Sequence, residues 1–135
     1  MVHPVSVLAA PVYLDTIIVV WLAEGKLSNL SAKVTTLLET ASLLISPIVL
    51  VELEFLYEAG RIKLPARDIQ RKVEHELGVG LCDLTFSAIV SAALDEKWTC
   101  DPFDRLIVAN AKANGFASLI SADKEIARHY PRTVW

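Results

Sequence analysis

The stretch PVYLDTIIVVWLAEG, residues 11–25, places one aspartate between two apolar runs. The short run PVYL (11–14) predicts a buried strand, and the longer run after it predicts a helix over 16–24 that ends at Gly25. Asp15 lies at the junction, where an apolar residue would be easier to bury. The stretch therefore predicts a strand–helix unit with a carboxylate at its turn.

The same alternation of short apolar runs and longer helical patterns continues along the chain. The predicted strands cover 11–14, 42–45, 80–84, 117–121 and 132–135. The predicted helices cover 16–24, 31–40, 47–59, 66–77, 85–96, 102–114 and 123–129. Strands joined by helices need crossover connections, so the pattern predicts one α/β domain over residues 1–135, with a mainly parallel sheet covered on both faces.

Composition narrows the possible functions. The chain has 135 residues, 53% of them hydrophobic, and a formal net charge of −3. A chain of this size can bury a substantial core, and its composition argues against a disordered protein or a basic protein that coats nucleic acid. Any action on nucleic acid would therefore take place at a local site.

The spacing of the cysteines bears on whether the protein binds zinc, and the N-terminal segment bears on where in the cell the protein is found. Cys82 and Cys100 form no zinc-ligand spacing with each other or with the three histidines, so both are predicted to be buried free thiols in a reducing compartment. The segment MVHPVSVLAAP has no basic n-region and is interrupted by prolines, and no apolar stretch is long enough to cross a bilayer. We therefore expect a cytoplasmic protein without a membrane partner.

Two aspartates follow predicted strands. Asp15 comes directly after PVYL, and Asp123 follows ASLIS (117–121) after one small residue. Ligands of parallel sheets bind beyond the carboxyl ends of the strands, so both side chains are predicted to lie at that edge. Each aspartate also suits a helix N-cap, and capping alone explains either one taken singly.

Glu52 lies within an apolar stripe of the predicted helix 47–59. Its neighbours three and four positions away are Ile48, Val49, Phe55 and Leu56. Glu54 and Glu58 are predicted to share the opposite, more polar face. An inward glutamate must be paired, protonated or bound to a cation, because burying a bare charge is costly. An internal salt bridge with an arginine or lysine is the structural alternative.

The segment DPFDRLIVANA, residues 101–111, contains another inward-facing acid. Asp101 suits the N-cap, and Asp104 follows in the first turn, where acids interact favourably with the helix dipole. The residues that share a face with Asp104 are Ile107, Val108 and Ala111. Asp104 is therefore predicted to point inward, away from Arg105 and Lys112.

A parallel sheet can bring four of these carboxylates to one edge: Asp15, Glu52, Asp104 and Asp123. Four like charges in one pocket repel each other unless a divalent cation holds them. Oxygen ligands without histidine or thiolate favour Mg²⁺ or Mn²⁺ over zinc. Such an ion activates water and stabilises the charge on an attacked phosphodiester, which predicts a metal-dependent nuclease.

The order of these motifs resembles the PIN-domain ribonucleases, and specifically the VapC-type toxins of toxin–antitoxin pairs. The similar segments are YLDT, ISPIVLVELEFLYEAG, DPFDRLIVANAKANG and SLISADKEI, which extend over nearly the whole chain in the family's order. The resemblance implies a three-layer α/β/α sandwich with a mainly parallel central sheet. It also implies an endoribonuclease that hydrolyses RNA, usually forms a homodimer, and is blocked by a cognate antitoxin protein.

The resemblance also implies roles for individual positions. The acids that match the family's ligands for Mg²⁺ or Mn²⁺ are Asp15, Glu52, Asp104 and Asp123. Weaker candidates, for orienting these ligands or contacting RNA, are Thr16, Ser46, Asp101, Arg105 and Ser121. Ile17 and Thr99-Cys100 stand where these toxins often have polar or basic residues, which bears on the choice of RNA.

Several features leave two interpretations open. One basic group either holds RNA phosphates or forms a solvated helix face: Arg61, Lys63, Arg67, Arg71 and Lys72. Apolar positions on the early helices supply either interfaces or core: Ile17, Val20, Trp21, Leu37 and Leu38. The three tryptophans are predicted to be packing residues, and His75 is predicted to be on the surface. The alternative function is a non-catalytic PIN-like module that binds RNA or a protein.

Overall fold

A five-stranded sheet lies at the centre of the computed structural model, which describes residues 10–135. The expectations for MVHPVSVLA, residues 1–9, lie outside this range. The strands are β1 Pro11–Leu14, β2 Ser42–Ile45, β3 Gly80–Leu81, β4 Ser118–Ile120 and β5 Thr133–Val134. Each lies within a predicted strand. β3 is shorter than predicted because its pairing with β2 ends at Cys82, whose N–H donates to the Ile45 carbonyl at 2.9 Å.

Within the described residues, seven α-helices connect and flank the strands, and each matches a predicted helix. They are α1 Thr16–Ala23, α2 Ala32–Thr40, α3 Pro47–Glu58, α4 Ala66–Leu77, α5 Phe86–Ala93, α6 Pro102–Ala113 and α7 Lys124–His129, with a 3₁₀ turn at Leu27–Asn29. Helix α5 ends before the predicted boundary at residue 96, because Glu96 turns into the interior beside α6. The helices otherwise begin and end within two residues of their predicted limits.

The strand order is β3-β2-β1-β4-β5, and every pairing is parallel. This order confirms the predicted α/β/α sandwich with a parallel central sheet. The chain builds one side of the sheet from β1 to β3 and then crosses to β4 and β5, so the order switches between β1 and β4. Leu14 pairs with Ile120, which puts Asp15 and Ser121 beside each other at the carboxyl edge. Open α/β sheets bind ligands in the crevice at such a switch point.

The hydrophobic core surrounds the two central strands and α1. Tyr13, Leu14, Leu119 and Ile120 are fully buried, as is much of α1. Among the apolar residues that the sequence left open between core and interface, Val20 and Leu38 are buried in this core and Leu37 packs against it. Trp21 is also half-buried and packs against this core, whereas Ile17 is exposed.

A small polar network lies inside the core. The Tyr13 hydroxyl donates to Cys82 Sγ at 2.9 Å and accepts a hydrogen bond from Asn114 Nδ2 at 2.6 Å. Cys82 is a buried free thiol, as predicted, but the same prediction for Cys100 is wrong. Cys100 is exposed because it lies in the irregular segment that leads into α6. No helix within residues 10–135 combines the length and apolarity needed to cross a bilayer.

Candidate functional site

A pocket of about 480 Å³ opens at the carboxyl edge of the sheet, beside the switch point between β1 and β4. Its lining residues are Asp15, Thr16, Ile17, Trp21, Glu52, Leu56, Arg61, Asp101, Asp104, Ala122 and Asp123. All four acids that the sequence singled out therefore line this pocket, each from a separate element. Asp101 is a fifth acid of the lining.

Asp15 is fixed at the base of this pocket by two hydrogen bonds. Its side chain is nearly buried, with 6% of the residue exposed. Oδ1 accepts from the Thr16 N–H at 2.8 Å and Oδ2 accepts from the Ser121 hydroxyl at 2.7 Å. Burial raises the pKa of Asp15, and the charges of Asp123 and Asp101 raise it further, while the two hydrogen bonds act in the opposite direction. Asp15 thus caps α1 and faces the pocket at once.

Thr16 links Asp15 to Glu52. The Thr16 hydroxyl donates to Glu52 Oε1 at 2.5 Å, which orients a half-buried carboxylate on α3. Burial raises the pKa of Glu52, as do the charges of Asp15 and Asp101, whereas Arg61 lowers it. Glu52 forms no ion pair with any described residue, so the alternative of an internal salt bridge has no partner within residues 10–135.

The faces of α3 differ in detail from the predicted ones. The fully buried face consists of Val49 and Leu53, so Glu52 lies at its flank and not at its centre. Phe55, predicted to be inward, is 52% exposed. Glu54, predicted to lie on a polar outer face, is half-buried and accepts a hydrogen bond from the Ala66 N–H at 3.0 Å. The prediction of one inward apolar face is wrong in these details because one side of α3 faces the pocket and another side packs against α4.

Asp101 and Asp104 enter the pocket from the start of α6. Asp101 is the predicted N-cap: its Oδ1 accepts from the backbone N–H groups of Phe103 at 2.8 Å and Asp104 at 3.3 Å. Burial raises the pKa of Asp104 to about 7, assisted by the negative charges of Asp101, Asp15, Asp123 and Glu52, in that order. Asp104 is therefore repelled by each of the other four acids of the pocket.

Asp123 and Ser121 complete the site after β4. Asp123 caps α7, since its Oδ1 accepts from the N–H groups of Glu125 at 2.8 Å and Ile126 at 3.2 Å. Its own N–H donates to the Ser121 hydroxyl at 3.1 Å, and that hydroxyl donates in turn to Asp15. Ser121 thus couples two of the acids, and it lies behind them, 1% exposed.

Two of the weaker candidates lie away from the pocket. Ser46 caps α3 through a 3.4 Å hydrogen bond from the Ile48 N–H and does not line the cavity. Arg105 is held by its Nε, which donates to the Glu96 carbonyl at 2.7 Å. The sequence offers Arg105 as a candidate for orienting the metal ligands or contacting RNA, but its Nε is bound to this backbone oxygen and the residue does not line the cavity.

Glu96 was not identified from the sequence, although it is almost fully buried. Its Oε1 accepts from Trp98 Nε1 at 3.0 Å, and its Oε2 pairs with Lys112 Nζ at 2.6 Å. The prediction that Arg105 and Lys112 point outward is therefore wrong, because both hold the Glu96 segment against α6. No sequence signal marked Glu96, which lies in the charged run DEK at the end of the predicted helix 85–96.

The basic residues that follow α3 do not form one surface. Arg61 alone among them lines the acidic pocket. Lys72 donates to the Ala23 carbonyl at 2.7 Å, Arg71 pairs with Asp68, and Arg67 borders a separate hollow between α3 and α4. His75 on the same helix is exposed, as predicted.

Trp21 is a pocket residue that the sequence treated as packing. It is half-buried on α1, lines the cavity, and lies 5.9 Å from Trp135 between ring centroids. The signal that identifies it is its spacing of four residues from exposed Ile17, which places both side chains on the same side of α1.

The donor set of the pocket suits a hard divalent cation. All the acidic ligand candidates offer oxygen, and a cation would relieve the repulsion that raises the pKa of Asp104. Within residues 10–135, no three acid, histidine or cysteine side chains converge tightly enough to enclose an ion by themselves. This spacing is compatible with Mg²⁺, which keeps several of its waters and is commonly held by only one or two carboxylates.

Comparison with known proteins agrees with this fold. The family model described as "PIN domain" matches residues 12–130. The chain is similar to the crystal structure of VapBC2 from Rickettsia felis bound to a DNA fragment from their promoter, with a TM-score of 0.62 and 19% identity over 92% of this chain and 96% of that chain. It is also similar to a toxin–antitoxin complex from Klebsiella pneumoniae, with a TM-score of 0.60 and 17% identity over the same shares, 92% and 96%. No curated protein matches it.

Proposed function

The chain belongs to the PIN-domain family, and from this premise we propose that it is an Mg²⁺- or Mn²⁺-dependent endoribonuclease and the toxin of a VapBC-type pair. The observation that carries the proposal is the convergence of Asp15, Glu52, Asp104 and Asp123 on one pocket at the switch point of the sheet. Capping gives a structural role to three of the five acids of the pocket, Asp15, Asp101 and Asp123. It does not explain why they share one cavity at the cost of mutual repulsion.

The acids of the pocket would hold the metal ion, neighbouring groups orient these acids, and one arginine would contact the RNA. Mg²⁺ or Mn²⁺, when bound, stabilises charge on the phosphate and lowers the pKa of an attached water. Asp15 is held by two hydrogen bonds and Glu52 by one, so both carboxylates are fixed in direction before any ligand enters. Asp104 lies in the first turn of α6, where a neighbouring positive charge would offset the repulsion from the other acids of the pocket. Arg61 is the cation of the pocket lining available to an RNA phosphate oxygen.

A cognate antitoxin and a second copy of the chain are the partners we propose. Support for the antitoxin comes from the two similar solved structures, of which one is named a toxin–antitoxin complex and the other VapBC2. Support for protein partners in general comes from exposed large apolar side chains on α3 and near α5: Val51, Phe55, Tyr57, Phe86 and Leu94. Sedimentation of the purified protein would show a dimer if the second copy binds, whereas a monomer throughout would contradict that part of the proposal.

The enzymatic proposal is tested by incubating total RNA with the purified protein and Mn²⁺, with and without EDTA. We expect discrete products that disappear with EDTA and with Asp104→Asn. Asp83→Asn is the matched control, because Asp83 is exposed and lies outside the pocket. Equal cleavage by wild type and Asp104→Asn would refute the assignment. RNA that is bound but left intact by wild type would favour the non-catalytic binding module instead.

A further inference from the structure

The acidic pocket has one aromatic wall. Trp21 lines the cavity from α1, and its ring lies 5.9 Å from that of Trp135, tilted by 48°. Trp135 is 42% exposed, so the pair is not sealed in the core. Within the described residues, the third tryptophan lies elsewhere: Trp98 stacks on His129 at 5.0 Å and is bonded to Glu96.

The position of Trp21 relative to the acids is set by α1. Asp15 caps this helix, and Ile17 and Trp21 are four residues apart, so they lie on one side of it about 6 Å apart along the axis. Both line the pocket, and Ile17 is itself exposed. An apolar track therefore leads from the carboxylates to the indole. A polynucleotide whose phosphate reaches the carboxylates would pass its neighbouring base along this track.

We infer that Trp21, backed by Trp135, forms a stacking subsite for one nucleobase next to the cleaved phosphate. This inference rests on the proposed function, and it adds a base contact to a site that otherwise recognises only phosphate. Indole faces stack on any base, so the subsite selects for an unpaired base more than for a particular one. Arg61 lies in the same pocket and supplies positive charge for the backbone while the base is on Trp21.

A purely structural role for Trp21 is the competing explanation. Trp21 does pack partly against the core, so its loss will lower stability whatever else it does. That role predicts no difference between RNA with bases and RNA without them. The subsite predicts such a difference, and this separates the two.

The test measures binding of two fluorescein-labelled 12-nucleotide probes of equal charge, oligouridylate and its abasic counterpart, by fluorescence anisotropy. The Asp104→Asn protein in EDTA is the parent for both probes, so that the probe stays intact and the comparison does not depend on a bound metal ion. We expect the parent to prefer oligouridylate by about 5-fold to 100-fold, the range typical of one stacked base. Trp21→Leu should abolish this preference, and Trp21→Phe should retain most of it. Trp98→Phe, which alters a tryptophan outside the pocket, should leave it unchanged.

Trp135→Ala provides a second variant in case Trp21→Leu does not fold, because Trp135 is exposed and its loss should reduce the preference at little cost in stability. Equal affinity of the parent for both probes, no measurable binding of either, or a preference that survives Trp21→Leu would each overturn the subsite. Cleavage of total RNA by wild type is scored separately. Metal-dependent cleavage without a base preference refutes the subsite alone and leaves the proposed function standing.

Discussion

Asp104→Asn should stabilise the metal-free protein while it abolishes cleavage. In the folded protein, burial and four neighbouring carboxylates raise the pKa of Asp104 from 3.8 to about 7. The unfolded chain lacks these neighbours, so Asp104 there titrates near its ordinary value of about 4. Between these two values the folded state binds more protons than the unfolded state. Its free energy of unfolding therefore falls as the pH rises from about 4 to about 7, and above that the loss is complete.

The size of the effect follows from the same shift. A pKa change from 3.8 to about 7 corresponds to about 4 kcal/mol for a fully shielded group. Asp104 is only half-buried, so solvent screening reduces this to about 1–2 kcal/mol at pH 8. Asparagine keeps the shape without the charge and should recover that free energy. The expected rise in Tm is about 3–10 °C.

Thermal melts followed by circular dichroism in EDTA provide the assay. Asp104→Asn should melt above wild type at pH 8, and the difference should shrink at pH 4, where the wild-type carboxyl is protonated in the folded state. Asp83→Asn, which alters an exposed acid outside the pocket, should show no such pH dependence. A variant that is equally or less stable than wild type at pH 8 would refute the electrostatic account of the pocket.

Three further substitutions probe separate parts of the structure. Thr16→Val removes the hydroxyl that orients Glu52 and should lower kcat by about 10-fold to 100-fold, whereas Thr16→Ser should retain most activity in the RNA cleavage assay. Tyr13→Phe leaves the half-buried amide of Asn114 without its acceptor and should cost about 1–3 kcal/mol in urea unfolding; an unchanged midpoint would contradict the role of the network. Glu96→Gln weakens the buried ion pair that holds the segment before α6 and should cost about 1–3 kcal/mol in the same measurement, so a neutral result would show that the pair is dispensable.

The fold was largely predictable because its signals are local. Apolar runs, prolines at the first helical position and cap residues marked strands and helices such as β1 and α6 almost residue by residue. Parallel pairing followed from the alternation of strands and helices. The placement of the acids at one edge followed in turn, because the carboxyl ends of parallel strands meet there.

The remaining features depend on contacts between distant segments. The burial of Glu96 depends on its ion pair with Lys112 of α6, a distant segment of the chain. The access of Trp21 to the pocket depends on the elements that meet beside α1. The flank position of Glu52 likewise depends on how α3 packs against α4, which helical periodicity alone does not specify. Cys100 was placed inside on residue type alone, and the irregular segment that carries it lies at the surface.

Anomalous diffraction from crystals of the protein soaked in Mn²⁺ tests the central claim most directly, because it locates the ion without reference to activity. We expect an anomalous peak in the acidic pocket at about 2.0–2.3 Å from carboxylate oxygens that include Asp15 or Asp104, and no peak there in Asp104→Asn crystals. A peak elsewhere, or a pocket without one while total RNA is still cleaved in Mn²⁺, would contradict the assignment of these carboxylates as the metal site.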